Sequence, residues 1–300
     1  MSKITAAGFV ALIGPPNVGK STLLNQLVGQ KVSIATHKSQ TTRSRITGIA
    51  LHEKAQIIFH DLPGIFNAGK KFDKAMVRAA WSGLSNADIG LVLIDSEKGL
   101  SGQATEIMLE KLREWREDNT DLCVALNKAD LVEKPDLLPL AQKLEDFLEP
   151  EKIFMISAKT GAGCEDMLSW LAKKMPEGPW LYDEQDVTDL PAKLMAAEFT
   201  REQIFKNLHQ EIPYECTVQT QTLETRKNQM MNIEQTIFVR KNAHKGIVIG
   251  KAGQTLKRIG SAARREIERA FEQKVNLQIR VKVQENWNED PDVYKMWGLD

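Results

Sequence analysis

Eight residues near the start of the sequence have the spacing of a phosphate-binding loop, GxxxxGK[ST]. An apolar run at 9–13 precedes them and leucines at helical spacing follow them, so the pattern predicts a strand, a loop and a helix in succession. In that setting backbone N–H groups and a helix N-terminus surround phosphates. Lys20 would reach the β and γ phosphates and the Ser21 hydroxyl would bind Mg²⁺. The residues expected to contact a nucleoside triphosphate here are Gly14, Pro15, Pro16, Asn17, Val18, Gly19, Lys20, Ser21 and Thr22.

A second motif, NKxD, predicts the base. The apolar run 122–126 leads directly into Asn127, Lys128, Ala129 and Asp130. The Asp130 carboxylate can accept hydrogen bonds from the ring N–H and the exocyclic amine of guanine, whereas adenine would leave polar groups unpaired, which discriminates strongly. We expect Asn127 to bridge the base and the loop, and the Lys128 stem to lie along the base plane.

A short polar segment follows the next predicted strand. Ser157, Ala158 and Lys159 come directly after the apolar run 153–156. Ligands of doubly wound sheets bind at the carboxyl ends of the strands, where both this segment and the NKxD motif would lie. We expect the Ala158 backbone N–H to donate to the guanine oxygen.

A DxxG segment is expected to respond to the γ-phosphate. It consists of Asp61, Leu62, Pro63 and Gly64, with Ile65 next. Asp61 is placed to hold the Mg²⁺ shell through water, and the Gly64 amide to contact the γ-phosphate. A polar stretch at 39–43 contains two threonines, either of which can close over the metal; we favour Thr42 over Thr41. The alternative for this stretch is an ordinary connecting loop.

The second half of the chain predicts a different domain. The last helix of the first half is predicted around 164–174. After residue 190 the elements follow the order α-β-β-α-α-β, with strands predicted at 214–223, 233–240 and 275–283, and a GxxG loop precedes a long basic helix. This order and loop are typical of a prokaryotic-type KH domain, which clamps single-stranded RNA. The alternative is a helix-turn-helix with a solvated basic face. The candidate RNA contacts are Lys245, Ile247, Ile249, Gly250, Lys251, Ala252, Gly253, Lys257 and Arg258.

Charge is distributed unevenly along the 300 residues, although the net charge is +0. Residues 191–283 carry 17 Lys and Arg against 9 Asp and Glu, so only this part suits a polyanion. Two prolines and a glycine within 176–179 indicate a linker. We therefore predict an α/β domain with a doubly wound sheet at 1–176, a linker at 177–190, and an α+β KH domain with a tail at 191–300.

Together these motifs resemble the Era-type family of bacterial translation GTPases, over about 9–297. The segments 246–253 and 256–260 strengthen the likeness, while Leu62 and Pro15 depart from residues common in that family. The resemblance implies a GTPase that uses Mg²⁺, converts GTP to GDP and phosphate, binds the 3′ end of small-subunit ribosomal RNA, and assists maturation of the small ribosomal subunit.

The position after the DxxG glycine bears on the rate of hydrolysis. Small signalling GTPases have a glutamine there that orients the attacking water, whereas Ile65 cannot form a hydrogen bond. We therefore predict slow intrinsic hydrolysis, with Lys20, Thr42, Gly64 and Asn17 as the catalytic candidates. In related GTPases an asparagine at the place of Asn17 helps to coordinate K⁺, and we hypothesise the same cofactor here.

Two other function classes stay open at this point. One is a regulatory GTPase that couples nucleotide state to a membrane or cell-cycle partner, and the other is a tRNA-modification GTPase, although no catalytic cysteine domain is appended. Three cysteines without pairing or metal-ligand spacing, and no signal segment, favour a cytoplasmic location. We also expect a monomer. Peripheral association with the inner face of the membrane is the alternative location. His60 is predicted to be a strand-end residue rather than a catalytic base.

Overall fold

The computed structural model describes residues 5–36, 38, 42–43, 45–65, 71–116, 121–226 and 229–289. Thr41 and the tail after residue 289 lie outside these ranges. The chain divides into two compact units between Asp189 and Leu190. No helix in the described ranges has the length and hydropathy needed to cross a bilayer.

The first unit alternates strands and helices around one sheet. The elements are β1 Ala6–Ile13, α1 Lys20–Val28, β2 Ile46–His52, β3 Ala55–Asp61, α2 Lys71–Ser85, β4 Ile89–Asp95, α3 Gln103–Arg116, β5 Asp121–Asn127, α4 Lys134–Leu148, β6 Lys152–Met155 and α5 Cys164–Lys174. The strand order in the sheet is β2-β3-β1-β4-β5-β6. Neighbouring strands are parallel, except that β2 runs antiparallel to β3.

Apolar side chains cover both faces of this sheet, because successive strand residues point to opposite sides. In β1, Val10 and Leu12 pack in a core cluster with α1 and α5, while Ala11 and Ile13 pack in a second cluster with α2, α3 and α4. The predicted doubly wound arrangement is therefore confirmed. The carboxyl ends of β1, β3, β4 and β5 lie at the same end of the sheet, and the loops that carry the sequence motifs follow these strands.

The segment at 177–190, predicted as a linker, packs against the first unit. The Ile49 N–H of edge strand β2 donates to the Val187 carbonyl at 2.9 Å, and the Thr188 hydroxyl donates to the Thr47 carbonyl at 2.6 Å. The buried Gln56 amide accepts from the N–H groups of Leu181 and Tyr182. Proline and glycine end the preceding helix, but they do not reveal that backbone groups of β2 exchange hydrogen bonds with the segment.

The second unit has the predicted α-β-β-α-α-β order. The elements are α6 Ala192–Asn207, β7 Cys216–Thr225, β8 Met231–Val239, α7 Asn242–Ile249, α8 Gln254–Phe271 and β9 Val275–Val283. The sheet has the order β7-β8-β9, with β7 and β8 antiparallel and β8 and β9 parallel. The ends of β7 and β8 differ by one or two residues from the predicted strands at 214–223 and 233–240, and a 3-10 turn at Ile212–Glu215 precedes β7.

Candidate functional site

The loop after β1 folds around the Lys20 ammonium. Lys20 is the first residue of α1, is 6% exposed, and donates from Nζ to the carbonyls of Gly14 at 2.9 Å and Pro15 at 3.2 Å. Burial lowers its pKa to about 8, although the nearby Asp61 carboxylate acts in the opposite direction. A buried cation that donates to two backbone carbonyls is well suited to bind an anion at this helix N-terminus.

Gly19 is the residue that lets the loop approach the base motif. It has a φ of 105°, and a Cβ added there would lie 2.4 Å from Asn127 Nδ2. That amide donates to the Val18 carbonyl at 2.7 Å, while Asn127 Oδ1 accepts from the Ala158 N–H at 2.9 Å. Asn127 thus joins the phosphate loop to the 157–159 segment. The Ala158 N–H, which we predicted to meet the guanine oxygen, has this side chain as its partner in the structure.

The three predicted metal-binding residues lie together. Asp61 Oδ2 accepts from the Ser21 hydroxyl at 2.6 Å and from the Thr42 hydroxyl at 3.4 Å, and those two hydroxyls are 3.1 Å apart. Ser33, which the sequence analysis missed, adds a third hydroxyl at 2.9 Å. Burial is the main influence on the Asp61 carboxyl and raises its pKa, against the lowering effect of Lys20 and the hydroxyls.

This cluster fits a magnesium ion. Asp61 Oδ1 is buried and has no hydrogen-bond partner among the described residues, and the Ser21 and Thr42 hydroxyls are beside the same carboxylate. Carboxylate and hydroxyl oxygens are the hard ligands that Mg²⁺ prefers, and it keeps several waters. Ser33 is held in place by Asn25, which accepts from its N–H at 2.9 Å and donates to its carbonyl at 2.7 Å.

The DxxG segment is buried beside the phosphate loop. Leu62 and Ile65 are 1% and 2% exposed and pack in the core cluster with α2, α3 and α4. The Ile65 N–H donates to the Gly14 carbonyl at 3.3 Å, and the Gly64 backbone lies against Pro16. The Ile65 side chain therefore packs in the core, as expected for a residue that takes no part in orienting water.

His60 has the environment of a buried strand residue. It is 5% exposed, and its ring centroid lies 5.3 Å from that of Phe9. Burial, with the nearby positive charge of Arg45, lowers its pKa to about 4. The ring is therefore neutral at physiological pH.

The end of the base motif is open to solvent. Asp130 is exposed and lies in a short 3-10 turn, Ala129–Leu131, that begins after a left-handed Lys128 with φ 64°. Lys128 Nζ lies 2.5 Å from Oδ2 of Asp95, another residue that the sequence analysis missed. Lys159 is exposed and Ser157 is buried. The Asp130 side chain is therefore accessible from solvent.

In the second unit the GxxG turn joins α7 to α8. Gly250 has φ 72° and ψ 175°, a conformation that essentially only glycine adopts. Lys251, Ala252, Lys257 and Arg258 are exposed, as predicted for a surface that meets phosphates. Ile247 is 48% exposed, but Ile249 packs against the core cluster of the unit, which makes it the weaker candidate for contact with a base.

A groove of about 430 Å³ runs beside this turn. Leu277 and Ile279 on β9 contribute apolar side chains to it, and Lys257 and Arg264 on α8 contribute basic ones. Neither β9 residue is among the contacts predicted from the sequence, although apolar and polar residues alternate along that strand. The remaining lining residues are Gly253, Leu256, Gly260 and Ser261.

Comparison with known proteins defines the class. Residues 9–128 match the family model described as a 50S ribosome-binding GTPase, and residues 211–288 match the KH domain model. The molecule is therefore a P-loop GTPase joined to a KH RNA-binding domain, as the sequence predicted.

Relatives identify the family more closely. GTPase Era of Rhizobium meliloti (strain 1021) is 50% identical over 296 residues, which cover 99% of this chain and 93% of the relative. GTPase Era of Agrobacterium fabrum is 49% identical over 296 residues, covering 99% and 92%. The chain belongs to the Era family of GTPases.

Two solved structures resemble the whole chain. Era in complex with MgGDPNP and nucleotides 1506-1542 of 16S ribosomal RNA has a TM-score of 0.91 and 36% identity, covering 98% of this chain and 99% of that one. A variant of Aquifex aeolicus Era bound to GDP and AlF4⁻ has a TM-score of 0.90 and 36% identity, with the same coverage.

Proposed function

We propose that this GTPase binds the 3′ end of small-subunit ribosomal RNA and assists maturation of the small ribosomal subunit. The observation that carries the proposal is the match, across 98% of the chain, to an Era structure that holds both MgGDPNP and a 16S ribosomal RNA segment. In this proposal residues 1–176 bind the nucleotide, 191–300 bind the RNA, and 177–190 connect them.

At the nucleotide site, the proposed chemistry begins with an exchange of partners. Lys20 leaves the carbonyls of Gly14 and Pro15 and donates to the phosphates, where it neutralises developing charge. The Ser21 and Thr42 hydroxyls, which contact Asp61 in this structure, would hold the metal together with that carboxylate. When bound, Mg²⁺ would stabilise negative charge on the phosphates. We propose that Asn17, exposed in the loop with φ 65°, helps to hold K⁺ beside the same phosphates.

At the RNA surface, support comes from the shape and charge of the groove. Apolar side chains of Leu277 and Ile279 can contact base faces, and the exposed Lys251, Lys257 and Arg258 can contact phosphates. A glycine-containing turn at a helix N-terminus lets the RNA backbone approach closely. The combination suits a single strand, whose bases are free to enter a groove.

The test is binding of a single-stranded oligonucleotide that matches the 3′ end of the small-subunit RNA. Changing both Lys251→Asp and Ala252→Asp places negative charge where phosphates should pass, so affinity should fall by at least a hundredfold while GTP hydrolysis without RNA stays near normal. The control is Lys274→Asp, an exposed position beyond the far end of α8, which should change affinity little. Wild-type affinity should also fall steeply with salt, because phosphate contacts release counterions.

An unchanged affinity in the double variant, or a flat salt titration, would overturn the RNA assignment. We further propose a cytoplasmic monomer. Sedimentation of the full chain tests the monomer, and co-sedimentation with anionic vesicles tests peripheral membrane association. Capture of lipid or protein partners without RNA would favour the alternative of a regulatory GTPase.

A further inference from the structure

A buried carboxylate lies beside the base motif and outside the phosphate and metal cluster. Asp95 ends β4 and is 5% exposed. Its Oδ2 accepts from Lys128 Nζ at 2.5 Å, and its Oδ1 accepts from the Glu97 N–H at 3.1 Å. Both oxygens therefore have partners inside the protein, which offsets the cost of burying the charge.

The sheet determines which residues meet at this point. Asp95 pairs with Asn127 in the register of β4 and β5, and the Ser96 N–H donates to the Asn127 carbonyl at 2.9 Å. Lys128 follows in a left-handed conformation, with φ 64° and ψ 31°, which residues other than glycine seldom adopt. The ends of two adjacent strands thus fix the residue that precedes the lysine, and Asp95 binds the lysine's ammonium.

We propose that Asp95 is a positioning residue for the guanine nucleotide, acting through Lys128. With the ammonium held by Asp95, the four-carbon stem of the lysine is fixed before the base arrives. The Lys128 side chain keeps 29% exposure, so the stem presents apolar surface beside the open Asp130 turn. This inference rests on the proposed guanine site and assigns to that site a residue from a different strand.

The physical reason is the entropy of a long side chain. A free lysine loses much rotamer freedom when it is ordered against a ligand, and ordering it in advance removes that cost from binding. The aspartate does this without touching the nucleotide. Loss of the Asp95 charge should therefore weaken the binding of GDP by about tenfold, chiefly because GDP dissociates faster.

The experiment is a double-mutant cycle on the full chain with Mg²⁺ and a fluorescent GDP. Asp95→Asn keeps an oxygen for the Glu97 N–H and removes the charge from the lysine contact. Lys128→Met keeps a long stem and removes the ammonium. The cycle measures whether the two changes act through one interaction.

Two further variants complete the design. Asp95→Glu retains the charge and should keep GDP dissociation within about threefold of wild type. Glu151→Gln is the matched control, because Glu151 forms an ion pair with Lys174 at the opposite end of the sheet from Asp95. It should leave GDP dissociation unchanged. The Asp95→Glu variant also keeps the test usable if Asp95→Asn does not fold.

The expected result is about tenfold faster GDP dissociation for Asp95→Asn, and no further acceleration when it is added to Lys128→Met. Any of three results would overturn the positioning role. The first is an unchanged GDP dissociation rate in Asp95→Asn, and the second is an equal acceleration by Asp95→Asn in wild type and in Lys128→Met. The third is an acceleration in Asp95→Glu as large as that in Asp95→Asn. If Lys128→Met itself left GDP binding unchanged, the proposed guanine site would fail, which is a separate outcome.

Discussion

Replacing Gly250 by alanine should destabilise the second unit far more than the same change at neighbouring glycines. Gly250 has φ 72° and ψ 175°, and holding another residue in that region costs about 1–3 kcal/mol. An added Cβ would also lie 2.2 Å from Thr255 Oγ1, 2.7 Å from Thr255 Cβ and 3.0 Å from the Thr255 backbone nitrogen. Because backbone atoms cannot move aside easily, we expect the free energy of unfolding of the second unit to fall by roughly 3 kcal/mol in total.

Two nearby glycines supply matched controls. Gly253 has φ 74° but no atom within 4 Å of an added Cβ, so Gly253→Ala should cost only ~1–2 kcal/mol, from its left-handed backbone. Gly246 lies within α7 and also meets nothing, so Gly246→Ala should be neutral or should stabilise the helix by about 0.5–1 kcal/mol.

The assay is native-state hydrogen exchange of amides in α7, α8 and β9, which reports the second unit separately from the first. A loss of about 3 kcal/mol corresponds to exchange faster by roughly a hundredfold or more. Adding Thr255→Ala to Gly250→Ala removes the nearest atom and should recover part of the loss. Equal effects of Gly250→Ala and Gly253→Ala would refute the reasoning, because of these two glycines Gly250 alone combines the strained backbone with the close contact.

Three predictions concern the nucleotide site. Asp130→Asn should shift the preference of the site from guanine to xanthine, because the extra oxygen of xanthine can accept a hydrogen bond from the new amide. Calorimetry with GDP and XDP checks this, and an unchanged preference for GDP would show that Asp130 is not part of the base site. Turnover should be faster in KCl than in matched NaCl for wild type and equal in both salts for Asn17→Ala, whereas equal wild-type rates would exclude the K⁺ role. The pKa of Lys20 is about 8 when folded against 10.5 in its ordinary state, so the unfolded chain binds more protons between these values and stability should rise with pH across that window. Denaturation of nucleotide-free protein should show this rise in wild type and a smaller one in Lys20→Met; identical pH profiles would contradict the burial of a charged Lys20.

The chemical types and order of the motifs could be predicted from sequence because each is local. A strand, a glycine-containing loop and a helix N-terminus occupy consecutive residues around Lys20, and the same holds for the turn at Gly250 between α7 and α8. Local periodicity likewise predicted α5 and β9 with the bounds that the structure shows. Such predictions need only residues that are close together in the sequence.

The tertiary structure alone decided which distant side chains complete these sites. The Asn127 amide meets the Val18 carbonyl across 109 residues, and Ser33 meets Asp61 across 28. Asp95 reaches Lys128 only because β4 and β5 are parallel neighbours in register. Sequence spacing does not reveal strand order or the direction of side chains, so nothing in the sequence indicated that Ser33 and Asp95 belong to these sites. Packing of the sheet gave them their partners, because only there do residues far apart in sequence come within hydrogen-bond distance.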